Sequence, residues 1–89
     1  MSGAIPDFSK IEYGREIGRR VNRLMKDRDW TLKDLKNRMK NIGFPVSQAT
    51  LSRIANSQRK DFNLGELHAF AVVFGVKIQE LWIPEGGWE

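Results

Sequence analysis

Apolar positions recur along this chain at helical spacing, and the pattern predicts a succession of helices. From Tyr13 to about Arg28, one face carries Tyr13, Gly14, Ile17, Val21, Leu24, Met25 and Arg28. Arg15, Arg19, Arg23 and Lys26 fall elsewhere, which describes a core helix with a solvated basic face. Trp30 follows in the connection and reads as a plug for the core.

A second helix is predicted from Thr31 to Ile42, with Leu32, Leu35, Met39 and Ile42 as its apolar stripe. Thr31 suits the N-cap, and Asp34 three residues later makes a capping box with a short carboxylate. Gly43 suits the left-handed residue after the cap, and Pro45 cannot continue a helix. Phe44 stands where a hydrophobic contact back to Met39 often accompanies such a cap.

Ser47 then caps a third helix, expected to span 47–58. Leu51, Ile54 and Ala55 share one arc; Gln48, Ala49, Ser52, Arg53 and Asn56 share the other. The polar arc is rich in short hydrogen-bonding groups, the equipment for touching base edges in a major groove. Two helices joined by a short glycine-containing turn form a helix-turn-helix. After a basic connection, SQRKDFN, Asn63 caps a fourth helix whose expected buried arc is Leu64, Leu67, Phe70, Ala71 and Phe74. Gly75 stops it, and Val76, Ile78, Leu81 and Trp82 suggest a short fifth. Residues 1–12 show no periodicity and read as an arm, residues 13–83 as one domain, and residues 84–89 as a tail.

The 89 residues suffice for one modest core. There is no cysteine, so disulfides and thiolate metal sites are excluded. No apolar run approaches the ~18 residues of a membrane span, and no secretory signal is visible, so a cytoplasmic protein is expected. The net charge of +4 is unevenly spread. Residues 15–60 hold thirteen Lys/Arg against four acids, whereas residues 61–89 hold Lys77 against five. A basic body with an acidic end suggests a polyanion on one face. His68 is the only histidine and reads as structural or solvated. With no nucleophile–base set, phosphate-binding glycine loop or metal cluster, neither an enzyme, a cofactor nor a metal is expected.

The runs WTLKDLKNRM and VSQATLSRIANSQRKDFNLGELHAFAVVFGVKIQELW resemble the Cro/phage-repressor helix-turn-helix family, also called XRE. The likeness covers about residues 14–82. It implies an all-α, five-helix DNA-binding domain, acting as a dimer on operator DNA. Matched to the family pattern, the recognition helix opens at Ser47 and Gln48, and base contacts fall on Gln48, Ala49, Ser52 and Arg53. Backbone phosphates would be met by Thr31, Lys33, Thr50, Asn56, Arg59, Lys60 and Asn63, helped by the helix N-termini, which favour anions. Three positions depart from the pattern. About five extra residues lie between Leu35 and Val46, extending the turn between helices 2 and 3. Leu32 stands where glutamine is frequent, and Lys36 where a small residue is expected.

The resemblance therefore implies a sequence-specific regulator of double-stranded DNA, of repressor type, associated with the nucleoid when bound. Val72, Val73, Trp82, Ile83 and Trp88 are apolar beyond the needs of the core and are expected to form a dimer or partner surface. Two alternatives share the fold: an antitoxin holding a toxin on its C-terminal surface, and a protein–protein adaptor that no longer reads DNA.

Overall fold

The computed structural model describes residues 13–82, and these form five helices without a strand. They are α1 (Tyr13–Arg28), α2 (Leu32–Asn41), α3 (Gln48–Ala55), α4 (Leu64–Phe74) and α5 (Gln79–Trp82). Helix α1 packs on α3 and α5, while α2 packs on α3 and α4, so α3 is gripped from both sides. The expected arm, Ile83 at the end of the expected domain, and the tail with Trp88 lie outside the described residues, as does the side chain of Trp82.

Helical period explains the core. Ile17, Val21 and Met25 from α1 meet Leu35 and Met39 from α2, Leu51 and Ile54 from α3, and Leu81 from α5. Helix α4 adds Ala69, Phe70, Ala71 and Phe74. Here the expected arc needs correction. Leu64 is 65% exposed, whereas Glu66 and Ala69 are buried. Leu64 occupies the first position of α4, outside the core edge, and Glu66 is drawn inward by its polar partners. Val73 is half-buried and packs against the core, whereas Val72 is 64% exposed.

The helix ends follow local chemistry. Asp29 takes a left-handed φ of 58° after α1, and Trp30 N–H donates to the Met25 carbonyl at 2.9 Å. At the end of α2, Gly43 has φ 84° and Phe44 N–H donates to the Met39 carbonyl at 3.0 Å. That is the backbone signature of a Schellman turn. Phe44 and Val46 then pack on the core and fasten the long turn, while Lys36 stays exposed. Helix α3 is shorter than expected: it ends at Ala55 with Asn56 as cap, because Ser57 adopts φ 58° and turns the chain. Ser57 and Gln58 therefore belong to the connection, with Gln58 N–H donating to the Arg53 carbonyl at 2.9 Å.

Aromatic rings link the elements. Trp30 stacks on Phe74 at 5.4 Å between centroids, Phe74 on Phe70 at 6.4 Å, and Phe62 meets Phe70 edge-on at 6.2 Å. Arg28, half-buried on α1, donates to the Phe74 carbonyl at 2.7 Å and so caps the last turn of α4 with a cation.

Candidate nucleic-acid interface

The orientation of α3 is fixed from below. Leu51 and Ile54 are almost fully buried, so the opposite side must face solvent. Gln48, Ala49, Arg53 and Asn56 are exposed there, with Ser52 and Thr50 half-buried at the edges. At about 1.5 Å per residue, eight residues make a rod of about 12 Å, of a size to lie in a major groove.

Hydrogen bonds run along this face. The Ser47 hydroxyl accepts from Thr50 N–H at 3.1 Å and donates to Thr50 Oγ1 at 2.9 Å. Arg53 reaches the same Thr50 oxygen in a long contact of 3.4 Å. Asn56 Nδ2 approaches Ser52 Oγ at 3.5 Å. The capping hydroxyl thus starts a chain that orients Thr50 and, through it, the guanidinium of Arg53.

The elements flanking α3 are capped by acids. At α2, Thr31 N–H donates to Asp34 Oδ2 at 2.8 Å and Asp34 N–H to Thr31 Oγ1 at 3.1 Å. The backbone and hydroxyl of Thr31 hold the Asp34 carboxyl below its ordinary range, with Arg38 and Lys33 nearby adding to the effect. At α4, Asn63 N–H donates to Glu66 Oε1 at 3.0 Å and Glu66 N–H to Asn63 Oδ1 at 2.8 Å. Thr31 and Asn63 are therefore engaged as caps. Lys33 and Lys60 stand exposed beside them.

Arg59 is placed differently from the rest of the expected phosphate set. Its guanidinium pairs with both oxygens of Glu66, at 2.7 and 2.5 Å, and lies 4.8 Å from the Phe62 ring centroid. It is turned inward, across the connection. The Asn63-to-Glu66 spacing was the signal in the sequence that this glutamate faces the chain, but nothing local marked Arg59 as its partner.

Close backbone approach was also hidden. A Cβ at Gly14 would lie 2.1 Å from the Lys60 carbonyl carbon, and one at Gly18 would lie 2.3 Å from the Ile54 carbonyl oxygen. Gly14 N–H donates to the Lys60 carbonyl at 2.8 Å, and Ser57 Oγ to the Arg15 carbonyl at 3.4 Å. Helix α1 is thereby seated directly on the end of α3 and the connection after it. Among the described residues, no group of His, Cys, Asp and Glu is arranged to hold a metal, and no helix is long and apolar enough to cross a membrane.

Residues 20–86 match the model of the Cro/C1-type HTH DNA-binding domain. This chain belongs to that family, and its helical architecture is the one expected of a DNA-binding helix-turn-helix domain. Neither the curated proteins nor the solved structures give a match.

Proposed function

We propose that the protein is a sequence-specific regulator of double-stranded DNA, acting as a repressor by occupying a promoter. The observation that carries this reading is the two-sidedness of α3: Leu51 and Ile54 are locked into the core while Gln48, Ala49 and Arg53 stand outside. Gln48 can pair bidentately with adenine and Arg53 with guanine, and Ala49 can meet a thymine methyl. Ser52 serves either a base or a phosphate. Thr50 positions Arg53, and Asn56, Lys33 and Lys60 meet phosphates, with Thr31 and Asn63 ordering the helix ends that face the strand. Arg59, tied to Glu66, holds the connection in shape.

The protein acts as a homodimer, because helix-turn-helix proteins of this kind read two half-sites about 34 Å apart. Among the described residues the large exposed hydrophobics are Ile42, Leu64 and Val72. Ile42 and Val72 share an open groove of about 280 Å³ with Phe44 and His68, a surface suited to a second copy. The protein works in the cytoplasm, at the nucleoid.

A random-duplex selection at fixed salt tests the reading. Enrichment of one two-fold-related sequence supports it, and an unenriched pool refutes it. Arg53→Ala should then relax preference at one base by about 1–3 kcal/mol. Equal weakening on every duplex would move Arg53 to the phosphate set.

A further inference from the structure

The basic face of α1 is unused by the reading above, yet it lies beside the end of α3. Arg15, Arg19, Arg23 and Lys26 fall within an arc of about 80° when α1 is turned at about 100° per residue. A cleft of about 310 Å³ separates this stripe from α3, and three of its cations, Arg19, Arg23 and Lys26, line it. Asn22, Ala55 and Ser57 complete the walls with Asp27, the single acid. The small side chains of Ala55 and Ser57 keep the α3 side of the cleft open.

The cleft is rigidly built. Glycines at 14 and 18 let α1 approach the backbone of Ile54 and of the Arg59–Lys60 peptide, and the Gly14 hydrogen bond to Lys60 fixes the register. The α1 stripe therefore borders the C-terminal end of α3, at Ala55, and the turn at Ser57. Arg19 pairs with Glu16, at 2.8 Å on the same helix, and its side chain is 67% exposed. Such a surface pair is weak and yields readily to a stronger anion.

We propose that this cleft is a phosphate-binding site for duplex DNA, in which Arg19 and Lys26, with Asn22 between them, hold the strand that borders the groove entered by α3. The proposal rests on the DNA-binding reading and extends its footprint from the helix-turn-helix to α1. A duplex presents a row of phosphates beside each groove, and three cations in the cleft, against Asp27 in its wall and Glu16 beside it, suit a strand of fixed negative charge. Contacts of this kind position the protein and carry no sequence information.

The test is the salt dependence of binding to the selected duplex and to a scrambled one, for the wild type and for Arg19→Gln/Lys26→Gln. Each phosphate contact contributes about 0.9 to the slope of log affinity against log salt, so the double variant should flatten it by about 1.8. Affinity should fall equally on both duplexes. Lys26→Gln alone should flatten the slope by about 0.9 and serves if the double variant does not fold. An unchanged slope, or a loss confined to the selected duplex, overturns the α1 site while the wild type's binding leaves the DNA reading standing. A wild type that binds neither duplex overturns both.

Discussion

Arg59 and Glu66 are joined across the α3–α4 connection by two short contacts, at 2.7 and 2.5 Å, with the guanidinium also resting on Phe62. Glu66 does two things at once. It caps α4 through Asn63 N–H and neutralises a half-buried cation. Removing one member of such a pair strands the other, which is costly in proportion to burial, and here the side chains are 12% and 29% exposed. Glu66→Ala should therefore lower unfolding free energy by about 3 kcal/mol in urea denaturation, combining an unpaired cation with a lost cap. Glu66→Gln, which retains an acceptor for the cap, should cost less. Arg59→Ala should destabilise the fold while leaving the salt slope of DNA binding unchanged; a flattened slope would return Arg59 to the phosphate contacts.

Gly14 and Gly18 make a second, independent prediction. In a solvated helix, Gly→Ala gains up to about 1 kcal/mol from backbone entropy. Here the added carbon would meet main-chain atoms at 2.1 and 2.3 Å, and main chain cannot swing aside as a side chain can. Gly18→Ala should consequently destabilise by about 1–3 kcal/mol, the usual range for overpacking. A melting temperature at or above that of the wild type would show that α1 does not sit on α3 as described.

These two cases mark what the sequence could and could not reveal. The capping box of α2 and the Gly43–Phe44 turn were legible because each is encoded within a few residues. The outward placement of Gln48, Ala49 and Arg53 was legible from the period of Leu51 and Ile54. The end of α3 was not, because Ser57 adopts a left-handed backbone that its residue type does not advertise. The buried face of α4 was misread for a related reason. Leu64 obeys the apolar pattern but sits at the first turn, beyond the core, and Glu66 breaks the pattern but is buried by Arg59. Close approach at Gly18 and the Arg59–Glu66 pair depend on elements brought together only by folding.

The capping box of α2 carries a pH dependence. Asp34 has its carboxyl lowered from 3.8 by hydrogen bonds from Thr31, so the folded state holds its proton less tightly than the unfolded chain. Linkage then makes its stabilisation complete above the unfolded value and loses it as pH falls through the folded one. Asp34→Asn should remove part of the acid-side decline in a stability-against-pH series and leave the neutral region to report only the lost cap geometry. Thr31→Ala should cost about 1 kcal/mol at neutral pH. An acid limb identical in wild type and Asp34→Asn would show that the carboxylate is not held in the folded chain.

The Arg38 guanidinium, on α2, lies 4.0 Å from the centroid of Trp30, whose other neighbours are Phe74, stacked at 5.4 Å, and Arg28 at 5.8 Å. Trp30 thus clasps α2 to the end of α4 through one ring face and one cation. An exposed cation–π contact contributes about 0.5–1 kcal/mol, less than the apolar contact of the indole itself. Trp30→Leu should therefore destabilise more than Arg38→Ala, since it loses the stacking on Phe74 as well. A double-mutant cycle between these substitutions isolates the shared term, and a coupling of about 0.5–1 kcal/mol is expected. A coupling of zero would mean that Arg38 merely lies near the ring and adds nothing to the Trp30–Phe74 stack.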